Sequence, residues 1–326
     1  MSSSKMARKV LFQITGLCAV LHLLVDGLCV CCLYLMASTH SIAELTGTFV
    51  TYNVLAFITQ PLTGACVDRI KQKHWMLLTS NILLTLAVLS TSIVVSANPT
   101  ASWMLPSAIL LGIGNSLFHV WGGKLVAVVS RNDMRALGTF VSTGAFGLAL
   151  GTVYFSWSLL NFFLLAICFL SITCISLDCK IKDSSEFPHK EVRQFATTFI
   201  VLALIALMAA VMIRSLVGKQ FSIAIERNQF VLLLLGGLAM TGKMMGGWIA
   251  RQMGIIKMVL IVITLTVACY LFKDYHMAVV LLGIFTVNCS MPVTLYLANE
   301  VLPGKEGLAF GLLAAALIPG YLLAII

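Results

Sequence analysis

A small set of titratable side chains lies within long apolar stretches of the chain. Ionisable groups are costly inside a lipid bilayer, and they usually face the interior of a helix bundle or a water-filled cavity, where they bind ions, protons or polar solutes. The candidates for chemistry are therefore His22, Asp26, His119, Lys124, Arg214 and Lys243.

Asp26 and His22 are the candidate proton-coupling residues. They are four residues apart, so a helix presents them on one face, where they can share a hydrogen bond or a proton. At about 1.5 Å per residue, Asp26 lies within ~5 Å of the middle of its apolar stretch. Its side chain is too short to reach water from that depth, which favours a position facing a cavity.

A second polar stripe lies in the stretch GIGNSLFHVWGGK, residues 112–124. Helical spacing places Gly112, Asn115 and His119 on one side, where glycine allows a neighbouring helix to approach closely. Asn115 and its counterpart at similar depth in the second half, Asn288, can either bind substrate or join helices. For His119, a cavity role and a structural bond to a backbone carbonyl are both open.

The remaining candidates are cations. Lys243 lies about 6 Å from the middle of its stretch, whereas Lys124 and Arg214 lie closer to the ends, from which long side chains can also reach water. One acid against up to three cations predicts a cavity for a small anionic or amphipathic solute. Asp26 and Arg214 lie at comparable depths in the first and seventh spans.

The composition indicates the elements that hold these side chains. Apolar residues make up 60% of the chain and charged residues 10%, and the mean hydropathy is +1.02, which is typical of a membrane protein with many spans. Backbone groups in lipid must be satisfied within helices, and the alternation of a membrane barrel is absent from the sequence. The predicted fold class is all-α.

The formal charge of +9 does not indicate nucleic-acid binding, because Lys and Arg lie in short segments between the apolar stretches. The ten cysteines lie mostly inside those stretches and have no paired CxxC spacing. We therefore expect no metal site and no cofactor. The first apolar stretch is too long for a signal peptide.

Stretches of about 20 residues are needed to cross a bilayer. The sequence contains eleven, at 11–36, 45–66, 76–97, 103–130, 137–156, 159–177, 196–217, 228–249, 257–272, 278–300 and 307–326. A charged segment, 178–195, divides the chain into an N-terminal half of six spans (1–177) and a C-terminal half of five (196–326). Either the sequence is truncated or the protein lacks a twelfth helix.

Lys and Arg predict the orientation. With a cytoplasmic N-terminus, the outer loops hold only Lys219, Arg227 and Lys273. The inner segments hold Lys5, Arg8, Lys9, Arg69, Lys71, Lys73, Arg131, Arg135, Lys180, Lys182, Lys190, Arg193, Arg251, Lys257 and Lys305. This excess predicts a cytoplasmic N-terminus, and we expect a multi-pass protein of the plasma membrane, specifically the bacterial inner membrane.

The two halves resemble each other weakly. LTGACVDRIKQK after the second span aligns with MGGWIARQMGIIK after the eighth, which pairs Gly64 with Gly247 and Asp68 with Arg251. LGIGNSLFHVW, from Leu111, aligns with LGIFTVNCSMP, from Leu282. Two halves in parallel topology are typical of transporters with a cavity between them.

These features resemble the major facilitator superfamily. GACVDRIKQK is similar to that superfamily's loop signature between helices two and three, with Gly64, Asp68, Arg69 and Lys71 in place. The resemblance implies that helices one and seven face each other across the cavity, where Asp26 and Arg214 form a direct pair, a water-bridged pair or no pair. It also implies that Asp68 faces the N-terminal end of the eleventh helix, near Gly307, and that Gly64, Asp68, Arg69 and Arg251 act in gating. The alternative is a solvated, positively charged loop.

A narrower resemblance covers about forty residues of the fourth and fifth spans. GIGNSLFHVWGGKLVAVVSRNDMRALGTFVSTGAFGLALG is similar to the fosmidomycin-resistance-like branch, with Gly112, Gly114, Phe118 and His119 matching its pattern and Val120 replacing its usual proline. Glycines in the fifth span (Gly144, Gly147 and Gly151) resemble the glycine-rich fifth helix of antiporters, but without its proline, so they favour packing.

The resemblance implies a proton-coupled secondary transporter that works by alternating access, with drug or phosphonate efflux favoured. The substrate is a small molecule, protons and the lipid bilayer are the other partners, and we expect a monomer. No Walker motif, HExxH or GxSxG is present in the sequence, so we expect no enzyme. The alternatives are sugar or amino-acid uptake by the same fold, a non-transporting membrane binding or sensing protein, and a truncated fragment.

Overall fold

The computed structural model describes residues 3–70, 74–97, 104–182, 195–226 and 228–324, and these ranges contain helices and no strand. The first half contains α1 (Ser3–Ala37), α2 (Ile42–Asn53), a π-helix (Val54–Ile58), α3 (Gln60–Arg69), α4 (His74–Ala97), α5 (Met104–Val129), α6 (Met134–Val153) and α7 (Trp157–Lys182). The second half contains α8 (Thr197–Ile223), α9 (Gln229–Met253), α10 (Ile255–Leu271), α11 (Met277–Cys289), α12 (Met291–Val301), α13 (Glu306–Ala315) and α14 (Leu317–Leu323).

The helices form eleven spans, as the sequence predicts. Within the described ranges, nine helical segments are long and apolar enough to cross a membrane. The shorter α10 and the interrupted segment α2–π–α3 complete the number. Three spans are built from more than one piece, and proline lies near each break, at Pro61, Pro292 and Pro319. Proline has no amide hydrogen to donate and clashes with the preceding turn, so it interrupts a helix at these points.

Two seams join the halves. The second span of each half packs against the fifth span of the other, so α3 lies against α13 and α6 lies against α9. Glycine makes both seams close: a methyl group on Gly64 would overlap the backbone of Gly307, and one on Gly247 would overlap the backbone of Met134. Small residues at helix interfaces are typical of packing within membranes.

α1 is the central helix of the first half and packs against α5, α6 and α7. Gly147 and Gly151 of α6 lie directly against the backbone of α1, at Leu23 and Gly27. The glycines of the fifth span therefore serve helix packing. This packing brings the middle of α1, which carries His22 and Asp26, against α5 and α6.

The boundary between the halves remains a prediction. α7 continues to Lys182, beyond the predicted start of the charged segment, and residues 183–194 lie outside the described part of the chain. Lys71, Lys73 and Arg227, which were used to predict the orientation, also lie outside it.

Candidate functional site

Asp26 lies at the centre of a buried polar cluster formed by α1 and α5. Its Oδ2 lies 3.3 Å from Nε2 of His22, and its Oδ1 lies 3.4 Å from Nε2 of His119. Oδ1 also accepts a hydrogen bond of 3.1 Å from Nδ2 of Asn115. All four residues are buried, with exposures between 0% and 7%. The pair expected from the spacing of His22 and Asp26 is present, and α5 supplies the other two side chains.

The two imidazole rings are held through their Nδ1 atoms. Nδ1 of His22 lies 2.7 Å from the carbonyl oxygen of Phe140, and Nδ1 of His119 lies 2.9 Å from that of Asn115. A carbonyl oxygen only accepts, so each Nδ1 is the donor and each Nε2 points toward Asp26. His119 therefore has both features that were open from the sequence, a bond to a backbone carbonyl and a place in the polar cluster.

Packing fixes the rings in these positions. The His22 and His119 rings lie 4.5 Å apart, edge to face, and Phe118 and Phe140 pack beside His22. A methyl group on Gly144 would collide with Oδ2 of Asp26 and Nε2 of His22. Glycine at this position thus leaves room for the His22–Asp26 pair.

Arg214 and Lys243 are the cations of the second half. Arg214 is buried, at 8% exposure, and its Nη1 has no hydrogen-bond partner in the described part of the chain. Lys243 is partly buried and interacts electrostatically with both Arg214 and Asp26. An arginine nitrogen that is buried and unpartnered is rare, since buried charge is normally paired.

A direct pair between Asp26 and Arg214 is not formed, and a water-bridged pair stays a prediction. Within the described residues, the ion-pair partners of Asp26 are His22 and His119. Both groups belong to the half that carries Asp26, and Nη1 of Arg214 has no acceptor among the same residues. Nδ2 of Asn288 donates to the Ile284 carbonyl of its own helix, at 2.8 Å, and the choice between a substrate contact and a contact between helices stays a prediction.

Asp68 joins the halves at the end of the bundle where α3 ends and α13 begins. Its Oδ1 accepts from the Gly307 amide at 3.0 Å, and its Oδ2 accepts from the Leu308 amide at 2.9 Å. These amides belong to the first turn of α13, whose N-cap residue, Lys305, contributes no side-chain bond. Asp68 thus caps a helix of the opposite half, where free amides and the helix dipole favour a negative charge.

Lys124 takes part in this contact. Its Nζ lies 2.6 Å from Oδ1 of Asp68, and the two side chains are only 6% and 7% exposed. The long lysine side chain reaches from α5 toward the helix end, as a snorkelling side chain does, and meets a carboxylate there. In this conformation Lys124 pairs with Asp68, and a role in the substrate cavity stays a prediction. Arg69 is exposed beside this contact.

Asn132 forms a second contact between the halves, which the sequence did not predict. Asn132, between α5 and α6, donates to the Tyr296 carbonyl at 3.1 Å and to the Glu300 carboxylate at 2.9 Å. Its Oδ1 accepts from Asn299 at 2.9 Å. Its backbone has a positive φ of 60°, a conformation for which asparagine is enriched, so the residue type is the signal that the sequence offered.

Arg251 occupies the position related to Asp68 by the repeat, and it lies near Asp133 at the start of α6. Asp133 caps its own helix, α6, by accepting from the Arg135 amide at 2.9 Å. Partial burial raises the pKa of the Asp133 carboxyl, but hydrogen bonds and charge from Arg135, with the charge of Arg251, lower it more, so it lies below its ordinary value. The charge at the end of this seam is thus reversed relative to the first seam, with Arg251 after α9 where Asp68 ends α3.

The fold and the site define a helical carrier of two repeated halves, with ionisable groups buried where the halves meet. The family profile described as Major Facilitator Superfamily matches residues 15–325. The chain belongs to that superfamily and is a multi-pass membrane protein with a transporter fold. No curated protein sequence matches the chain.

Solved structures show the same fold. A structure of the Escherichia coli fucose:proton symporter FucP matches with a TM-score of 0.66 at 12% identity, covering 97% of this chain and 90% of that one. The human organic anion transporter MFSD10 matches with a TM-score of 0.66 at 16% identity, covering 97% and 92%. A bacterial homologue of the iron transporter ferroportin, in an outward-facing state, matches with a TM-score of 0.61 at 14% identity, covering 95% and 90%. At these identities the likeness concerns the fold alone.

Proposed function

We propose that this chain is a proton-coupled secondary transporter that carries a small organic anion by alternating access. The observation that carries the proposal is the buried cluster in which Nε2 of His22 and Nε2 of His119 both point at the carboxylate of Asp26. It lies in the middle of the spans, where ionisable groups commonly relay protons.

The cluster supports proton coupling because its charge state can change. Each Nε2 faces the carboxylate and can hold a proton between the ring and Asp26, so the cluster has more than one protonation state. Lys243 interacts electrostatically with Asp26 and His119. Proton uptake or release by the cluster would therefore change the potential that a solute experiences next to Lys243.

Arg214 and Lys243 support an anionic substrate. The unpartnered Nη1 of Arg214 offers a donor to an acceptor that the protein does not supply, and guanidinium groups bind carboxylates and phosphonates in a two-pronged manner. The transport of an organic anion by MFSD10, as its description states, agrees with this substrate class. The resemblance of the fourth and fifth spans to the fosmidomycin-resistance-like branch favours phosphonates and efflux.

Alternating access requires contacts that hold one end closed. Asp68 with the start of α13 and Asn132 with α12 would form the closed gate, in which Gly64 allows the close approach and Arg69 and Arg251 lie nearby. The excess of Lys and Arg on this end supports a cytoplasmic position. We therefore propose that the N-terminus is cytoplasmic, that the protein lies in a bacterial inner membrane as a monomer, and that this conformation faces outward.

The test is transport in proteoliposomes with an imposed pH gradient and fosmidomycin as the phosphonate probe. Wild-type protein should accumulate fosmidomycin in response to the gradient. Asp26→Asn should lose gradient-driven accumulation while keeping counterflow exchange, because substrate can still bind and cross. Arg214→Gln should lose both.

Lys219→Gln is the matched control, because Lys219 is a cation on the same helix whose side chain contacts Tyr321 rather than the site, and it should behave as wild type. Gradient-driven accumulation by Asp26→Asn, at the wild-type level and with normal proton flux, would refute proton coupling through this residue. Transport of fucose or an amino acid but not of fosmidomycin would favour the uptake alternative. Binding without counterflow would favour a non-transporting protein.

A further inference from the structure

The His22–Asp26–His119 cluster has an excess of hydrogen-bond acceptors. Each imidazole uses Nδ1 to donate to a backbone carbonyl, at 2.7 Å for His22 and 2.9 Å for His119. In a neutral ring the other nitrogen then carries a lone pair. Two lone pairs and a carboxylate therefore face one another in a buried space, and this arrangement favours a positive centre between them, either a proton or a metal cation.

The distances match those between the ligands of a metal ion. Nε2 of His22 lies 3.3 Å from Oδ2 of Asp26 and Nε2 of His119 lies 3.4 Å from Oδ1, whereas a charge-assisted N–H···O bond is usually about 2.7–2.9 Å long. Ligand atoms held about 2.0–2.2 Å from a tetrahedral ion lie roughly 3.3–3.6 Å from one another. One ligand atom from each of the three residues lies within 4.8 Å of the other two.

The surroundings have the form found around metal-binding histidines. Such a histidine usually donates its second ring N–H to a carbonyl or carboxylate, which fixes the tautomer and aims the ligand nitrogen. Here the Phe140 and Asn115 carbonyls do this, and the Asn115 side chain donates to the carboxylate. The ligands are carried by two packed helices, α1 and α5, so their separation is set before any ion arrives.

We propose that His22, Asp26 and His119 form a binding site for a single divalent transition-metal ion, such as Zn²⁺ or Co²⁺. Two imidazoles with one carboxylate suit first-row transition metals, whereas Mg²⁺ and Ca²⁺ prefer sites made of oxygen alone. The cluster's side chains keep 7% to 10% exposure, which provides an approach for an ion and a place for water as a further ligand. Cysteine spacing gave no indication of this site, because its ligands are two histidines and an aspartate on two helices, α1 and α5, that are far apart in the chain.

Neighbouring charge tunes the site. Lys243 interacts electrostatically with His119 and Asp26, and its ammonium group opposes the arrival of a cation. Lys243→Gln should therefore raise the affinity for Co²⁺. A fortuitous metal contact elsewhere on the surface would not respond to this change.

The experiment uses the full chain, purified in detergent without a polyhistidine tag, and Co²⁺ as the probe. The wild-type protein should bind one Co²⁺ per chain, with visible absorption bands that Zn²⁺ removes by competition. His22→Gln and His119→Gln should each lose the bands. His276→Asn is the matched control, because His276 is exposed and its role as the N-cap of α11 is kept by asparagine; its bands should match those of wild type.

Zinc X-ray absorption of the unmutated protein makes the result independent of how the variants fold. The spectrum should contain scattering from two imidazoles and low-atomic-number ligands at about 2.0–2.2 Å. Sulfur ligands, absence of imidazole scattering, or no stoichiometric binding at all would overturn the proposal. Binding is measured without a gradient, so a chain that binds no metal but accumulates fosmidomycin refutes only the metal site, and the reverse result refutes only proton-coupled transport.

Discussion

The Asp68 contact allows a prediction with a magnitude. Asp68→Asn keeps the size of the side chain but removes its charge and one of its two acceptor oxygens. In the closed state the carboxylate accepts from the amides of Gly307 and Leu308 and from Nζ of Lys124. Asparagine can satisfy one of the amides, but its own NH₂ group then faces a second donor, and Lys124 loses its counter-ion.

The free energy of the change follows from these contacts. A hydrogen bond to a charged group contributes about 1.5–3 kcal/mol, and an acid at a partly buried helix N-terminus contributes up to about 2 kcal/mol. The two figures overlap, because the same amides account for both. In a state that opens this end, all three groups meet water and the substitution costs little. We therefore expect the closed state to lose about 2–3 kcal/mol, which lowers the closed-to-open ratio about 30- to 140-fold.

Hydrogen–deuterium exchange of the Gly307 and Leu308 amides measures this ratio. Amides in the first turn of a helix have no partner within the helix, so Asp68 is their source of protection. Exchange of a peptide that contains both amides should accelerate by the factor given above. Asp274→Asn is the control, because Asp274 is exposed in the turn between α10 and α11, and it should leave the exchange unchanged. Unchanged exchange in Asp68→Asn, or equal acceleration in the control, would refute the reasoning.

Three further predictions concern packing, the second contact and pH. Gly147→Ala should lower the melting temperature, because the added methyl group overlaps the backbone of Leu23, at a cost of about 1–3 kcal/mol. Gly16→Ala is the control and should leave the melting temperature unchanged, because a methyl group there meets nothing within 4 Å. Equal melting temperatures for the two variants would contradict this packing. Asn132→Ala should speed hydrogen–deuterium exchange of a peptide from the C-terminal part of α12. If the two contacts are independent, its free-energy cost should add to that of Asp68→Asn within about 0.5 kcal/mol. Unchanged exchange of the α12 peptide would argue against the contact. Asp133→Ala should cost about 0.5–2 kcal/mol through loss of the α6 cap, while Asp133→Asn keeps the cap and isolates the charge. Because the pKa of Asp133 is depressed in the folded state, the stabilisation due to its charge is present above the unfolded pKa of about 3.9 and disappears as pH falls through the lower folded pKa. The difference in melting temperature between wild type and Asp133→Asn should therefore be constant from about pH 8 to about pH 5 and shrink below about pH 4. A difference that grew in acid would show that folding raises the pKa of Asp133 instead of lowering it.

The sequence predicted those parts of the site that depend on spacing along one helix. His22 and Asp26 are four residues apart on α1, and Asn115 and His119 are four apart on α5, so each pair shares a face whatever the surroundings. Hydropathy predicted the spans for a similar reason, because lipid requires helices of a certain length.

Contacts that depend on the rotation and packing of separate helices were not predictable in this way. Equal depth suggested that Asp26 and Arg214 face each other, but depth does not determine the direction of a side chain. In the structure His119 and Asn115 of α5 contact the carboxylate of Asp26 instead. Lys124 lies 56 residues from Asp68 in the chain, so nothing local indicated their contact. The contact of Asn132 depends on a backbone with positive φ at this residue. The sequence of the loop is compatible with that conformation but does not specify it.

The two seams between the halves differ in what holds them. α6 and α9 touch along their whole length through backbone and small side chains, from Gly247 against Met134 at one end to Gly236 against Ala149 toward the other. α3 and α13 also pack backbone to backbone, with Gly64 against Gly307 and Gly311 against Gln60, and charge joins them in addition at the end where Asp68 lies. Separating α3 from α13 breaks polar contacts that water can replace as well as this short stretch of backbone packing, whereas parting α6 from α9 breaks backbone packing over a longer stretch. We therefore expect the two halves to rotate relative to each other about the α6–α9 seam, so that α3 and α13 separate. The contacts of Asp68 then stabilise the closed state.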